Sequence, residues 1–150
     1  WGHARDYVEM QWRMLQKDSP SDYVIATGRQ ESVRKFVELS AKALGWDKGT
    51  NSSGIIWEGE GINEVGRRAD NGKVVIKIDP RYFRPCEVET LIGDPSKASR
   101  ELGWNASTTL EELVSEMIEE DLSLAKQEVL ILNQGYKLNS PKENPPNFKE

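Results

Sequence analysis

Two charged residues in one short segment offer the clearest chemistry in this sequence. In Arg84-Pro85-Cys86-Glu87 a permanent cation precedes a carboxylate by three positions. A guanidinium binds a phosphate through two parallel N–H donors and keeps its charge at any physiological pH. A carboxylate such as Glu87 accepts hydrogen bonds from two adjacent hydroxyls, the pattern a ribose presents. Pro85 restricts the backbone between them. Arginine for the anion and carboxylate for the vicinal diol together suit a nucleoside diphosphate. An ordinary ion pair on a surface loop has the same spacing, and on spacing alone it is the commoner outcome.

Other reactive candidates are few. Arg67 and Arg68 place positive charge just before a turn, where solvated side chains are the ordinary case. His3 opens a helix, a position that favours a structural hydrogen bond over catalysis. His3 and Cys86 are the only histidine and cysteine, too few for a zinc site without several carboxylates, and there is no H-E-x-x-H. The nearest approach to a dinucleotide loop, Gly59-Glu60-Gly61, lacks the third glycine and a following helix. There is no phosphate-binding P-loop, and no tyrosine is followed four residues later by lysine.

Composition narrows the class. The chain has 150 residues, 37% hydrophobic and 30% charged, with a net charge of −5. That suits one ordinary domain with a modest core. The net negative charge disfavours long-range attraction to nucleic acid, although one or two guanidiniums still suffice for a single phosphorylated ligand. One cysteine allows no internal disulfide, which fits a cytoplasmic setting. No apolar run approaches the roughly 18–20 residues of a membrane span, and no signal-peptide pattern is present. Trp1 opens on a helix already in stride, so the expectation is a chain cut from a longer one.

The elements that must position these residues follow from periodicity. Residues 3–17 read as a helix with Ala4, Tyr7, Val8, Gln11, Trp12, Met14 and Leu15 on its apolar face. Residues 22–45 read as a buried strand at Tyr23–Thr27, a loop, and a helix capped by Ser32 and stopped by Gly45. Residues 47–54 read as loop, and Ile55-Ile56-Trp57 as a second apolar run. Asp70-Asn71-Gly72 predicts the turn of a hairpin over 64–78. Asp94 and Pro95 start a short helix that ends near Gly103. The clearest helix is 109–126, with Leu110, Leu113, Val114, Met117, Ile118, Leu122 and Ala125 as one stripe. Thr108 with Glu111, or Thr109 with Glu112, would form its capping box. Trp12 and Trp57 are expected in the core, Trp104 against a helix end, and a disordered tail from about 138.

Five segments, taken in order, carry a resemblance: WGHARDYVEMQWRMLQ (1–16), DYVIATG (22–28), SVRKFVE (32–38), RYFRPCEVETLIGDPSKASRELGW (81–104) and TLEELVSEMIEEDLSLAK (109–126). Together they resemble the C-terminal part of the GDP-mannose 4,6-dehydratase family, a branch of the extended short-chain dehydrogenases. The likeness runs from residue 1 to about 136, and 47–62 aligns least firmly. It implies an α/β fold: the C-terminal substrate-binding part of a Rossmann-type enzyme, with most of the Rossmann sheet missing. Residues 1–136 would then be the nucleotide-sugar-binding region and 137–150 a tail.

The resemblance also implies an activity. The family converts GDP-mannose to GDP-4-keto-6-deoxy-mannose with bound NADP, and its catalytic Thr or Ser, Glu, Tyr and Lys would all precede Trp1. It implies that Arg84 faces the pyrophosphate, that Glu87 contacts the ribose, and that Arg67 lies near the nucleotide. NADP would be held by the missing N-terminal domain, and the full-length protein would be a cytoplasmic homo-oligomer. Two alternatives stand beside this: a non-catalytic nucleotide-binding module, and a dehydratase or epimerase for another nucleotide sugar. The isolated chain is expected to be only marginally stable and a weak binder of nucleotide.

Overall fold

A computed structural model describes residues 1–84 and 90–138. The fold is mixed α/β. Helix α1 spans Ala4–Leu15 and α2 spans Val33–Ala43. Three short strands follow: β1 (Ile55–Glu58), β2 (Val65–Arg68) and β3 (Val74–Lys77). Helices α3 (Ser96–Leu102) and α4 (Leu110–Asn133) complete the order.

The strands form an antiparallel sheet in the order β1-β2-β3. The predicted hairpin is β2-β3, and Gly72 takes the positive φ of +73° that its turn demands. Trp57, Gly66 and Ile76 lie opposite one another across the three strands. Gly66 is buried there, and an added Cβ would sit 3.1 Å from Ile76 and 3.2 Å from Ile55, so those side chains would have to give by a few tenths of an ångström. The ladder shifts register between Gly66 and Arg67, the kind of irregularity that bends a strand and re-aims its side chains.

The core centres on Met10, Ala98 and Trp104, with Tyr7, Met14, Tyr23, Ile25, Leu102 and Ala106 packed around them. It brings α1, α3 and the loop after α3 together. Helix α2 packs on α4. Ser32 caps α2 as expected, its hydroxyl accepting from Lys35 N–H at 3.1 Å. Thr109 and Glu112 form the capping box of α4. Thr108 takes no part in it, because its N–H is already given to Asp6.

Several expectations need correction. Residues 22–28 form no helix and, among the described residues, join no sheet. Tyr23 and Ile25 turn into the core, while the adjacent segment approaches through Gly93, whose added Cβ would meet Ala26 at 2.7 Å. Among the described residues the segment has the side chains of a strand but joins no sheet. Trp12 is not core but 61% exposed, with Val8 and Leu15 exposed on the same face. Helix α1 instead buries Asp6 and Met10. Trp57 is half-buried, its indole N–H donating to Glu38 and the Arg34 guanidinium 4.2 Å above its ring.

Two helix boundaries also differ. Helix α4 runs seven residues beyond 126, to Asn133, and its apolar residues are not one covered stripe: Val114 is buried, whereas Met117 and Leu122 are exposed. Helix α3 starts at Ser96, so Pro95 is its cap rather than its first residue, and Asp94 accepts from Ser96 N–H at 2.9 Å. The tail beyond Leu138 lies outside the described residues.

Candidate functional site

The segment with the predicted site leaves the sheet at β3 and enters a tight turn. Asp79 organises that turn. Its carboxylate accepts from Arg81 N–H at 3.0 Å and from the Arg81 guanidinium at 2.7 Å, and its carbonyl accepts from Tyr82 N–H. The Arg81 hydrogen bonds hold the Asp79 carboxyl below the usual carboxylate range. Arg81 lies 5.3 Å from the Tyr82 ring centre. The turn thus uses one arginine internally and carries the exposed Tyr82, Phe83 and Arg84 outward.

Arg84 therefore sits at the surface, on irregular backbone. Glu87, with Pro85 and Cys86, lies outside the described residues. Arg67 has a definite setting on β2. Its Nε donates to Glu58 at 2.7 Å and its Nη1 to the Gly72 carbonyl at 3.2 Å. Its guanidinium is tied to its own sheet, one residue past the register shift. Arg68 is committed elsewhere: it grips Asp70 through two nitrogens and stacks 4.3 Å from the Trp46 ring. That pairing lowers the Asp70 pKa.

The sequence reading missed Asp6. It is buried, at 4% exposure, and joins α1 to the start of α4. Its carboxylate accepts from Ser107 Oγ at 3.1 Å and Thr108 N–H at 2.9 Å, and its carbonyl accepts the Trp104 indole N–H at 2.8 Å. Burial pushes the carboxyl pKa up, but these bonds to Thr108 and Ser107 outweigh it, so the net shift is downward. Arg13 works alongside, donating to the carbonyls of Leu102 and Gly103 at 2.9 and 2.7 Å. Together they fix the end of α3 and the loop that follows. A signal existed: Asp6, Met10 and Arg13 share one helical face at i, i+4 and i+7.

His3 has the structural role expected of it. Its Nδ1 accepts from Arg5 N–H at 3.0 Å, and its Nε2 lies 3.3 Å from Glu116. Among the described residues no cluster of His, Cys, Asp or Glu could hold a metal ion, and no helix is long and apolar enough to cross a membrane. The described residues do not fit a dinucleotide cradle either. The one sheet is antiparallel, and no glycine-rich turn leads from a parallel strand into a helix.

Comparison with known proteins supplies what this geometry leaves open. The family profile described as GDP-mannose 4,6 dehydratase matches residues 1–117. The GDP-mannose 4,6-dehydratase of Vibrio cholerae is 51% identical over 141 residues, which is 91% of this chain and 37% of that protein. GDP-mannose 4,6 dehydratase 2 of Caenorhabditis elegans is 50% identical over 124 residues, 83% of this chain and 30% of that protein. The human GDP-mannose 4,6 dehydratase is 48% identical over 126 residues, 84% of this chain and 32% of that protein.

The class these proteins define is the nucleotide-sugar dehydratases. Within it, this chain belongs to the GDP-mannose 4,6-dehydratase family, as the five sequence segments indicated. It spans about a third of the length of these relatives.

Proposed function

We propose that this chain is the nucleotide-gripping part of a GDP-mannose 4,6-dehydratase, with residues 1–136 as the binding region and 137–150 as a tail. The observation that carries this is the family match across residues 1–117, a range that includes Arg67, Arg84 and Glu87. Arg84 supplies the forked contact to the pyrophosphate, and Glu87 receives the ribose hydroxyls. Arg67 adds positive charge nearby while its guanidinium stays on Glu58. In the full-length enzyme the substrate is GDP-mannose and the product GDP-4-keto-6-deoxy-mannose.

The catalytic residues and the NADP site belong to the rest of that enzyme, a cytoplasmic homo-oligomer, which supplies most of the Rossmann sheet. This chain's residues would bind and orient the GDP end and contribute no proton or hydride step.

The test is nucleotide affinity in the full-length protein. Arg84→Ala removes a charge-assisted contact of about 1.5–3 kcal/mol, so GDP-mannose should bind roughly ten- to a hundredfold more weakly by calorimetry. An unchanged dissociation constant removes Arg84 from the site. Equal affinity for UDP-, CDP- and dTDP-sugars would overturn the assignment to GDP.

A further inference from the structure

The path from β3 to Arg84 contains no helix or strand, yet its backbone is fixed at one point. Asp79-Pro80-Arg81-Tyr82 closes a turn in which the Tyr82 N–H donates to the Asp79 carbonyl at 3.1 Å. Pro80 stands at the second position, where its fixed φ suits such a turn. The Asp79 carboxylate then clamps the turn from its side chain. It accepts from Arg81 N–H at 3.0 Å, from Arg81 Nε at 3.1 and 3.2 Å, and from Arg81 Nη2 at 2.7 Å. The Asp79 side chain is 16% exposed and that of Arg81 56%, so the carboxylate is sheltered and the cation lies over it.

Arg81 and Arg84 stand three positions apart, and each residue type can offer a fork to a phosphate. Their settings differ. Arg81 already presents Nε and Nη2 to a carboxylate, so that edge of its guanidinium is committed within the turn. Arg84 follows two residues after the turn closes, on exposed backbone. A forked contact gains most when its segment is held before the anion arrives, because ordering the chain on binding is subtracted from the affinity.

We propose, on the reading that Arg84 meets the pyrophosphate, that Asp79 is a positioning residue for the nucleotide. Through its hold on Arg81 it fixes the turn that sets where Arg84 stands, and it touches no substrate itself. Arg81 is the structural cation of the pair, and Arg84 is the one that meets the anion.

A double-mutant cycle in the full-length enzyme tests this, with GDP as the probe in calorimetry. Asp79→Ala should weaken GDP binding roughly fivefold when Arg84 is present, and less than about twofold when Arg84 is already alanine. Arg81→Ala should show the same dependence on Arg84, because it acts along the same route. Asp79→Asn keeps a side-chain oxygen for the Arg81 N–H and should recover part of the loss. In steady-state kinetics Asp79→Ala should raise the KM for GDP-mannose and leave kcat unchanged. Should Asp79→Ala fail to fold, Asp79→Asn and Arg81→Ala carry the same cycle. Losses of equal size with and without Arg84 would overturn the positioning role. So would GDP affinity that responds to Arg84→Ala but to neither Asp79→Ala nor Arg81→Ala, and in both cases the Arg84 contact would stand. Affinity indifferent to Arg84→Ala would overturn the nucleotide reading and this role with it.

Discussion

Helix α1 and the distal half of α4 are both amphipathic, yet the protein treats them differently. Helix α1 carries apolar side chains on more than one face and buries only the one bearing Met10. That face also carries Asp6 and Arg13, whose bonds reach the loop after α3 and the start of α4. The distal half of α4 has a comparable apolar stripe but no such polar anchors, and it remains exposed. Apolar area alone drives burial without choosing a partner. The buried carboxylate and the guanidinium choose, because each must find its hydrogen bonds or lose stability.

The comparison breaks most visibly at Trp104. It is 1% exposed at the centre of the packed region, so Trp104→Ala should cost about 4 kcal/mol. A loss of that size should sharply lower the midpoint of the unfolding transition in urea.

Asp6→Ala comes next. It leaves the Thr108 N–H and Ser107 hydroxyl without their acceptor, and about 2–3 kcal/mol should be lost in the same measurement. The pH dependence sharpens the point. The folded-state pKa of Asp6 lies below its ordinary value, so its contribution is complete above about pH 4 and is lost as pH falls through the folded value. Asp6→Asn should therefore flatten the acid limb of a stability profile measured from neutral to acid pH.

Thr109→Ala, which removes the hydroxyl accepting from Glu112 N–H, should cost about 1 kcal/mol. The smallest effect belongs to the uncovered face of α1: Trp12→Gln should change the stability of this chain by less than about 0.5 kcal/mol. A large loss there would mean that the exposed face is packed after all, and the contrast between the two faces of α1 would fail.

Much of the framework was legible in the sequence because its signals are local. Ser32, Thr109 with Glu112, and Asn71-Gly72 each act within a few residues of themselves, so their types and spacing suffice. The family was legible for another reason: five segments in a fixed order carry far more information than any pair of residues. The roles proposed for Arg84 and Glu87 rest on that order, since on spacing alone an ordinary ion pair is the commoner outcome.

Tertiary structure decided what depends on a distant neighbour. Which face of α1 is buried depends on where Trp104 and Ala98 lie, about ninety residues along the chain. The segment at 22–28 has the β-rich side chains of a strand, but a strand also needs a second backbone beside it. Asp6 reads as one more helical charge until Ser107 and Thr108 arrive to bind it. Caps, turns and family order were thus written in the sequence by itself. The partners of Asp6, the exposure of Trp12 and the cross-strand hold of Glu58 on Arg67 exist only once long-range packing brings those residues together.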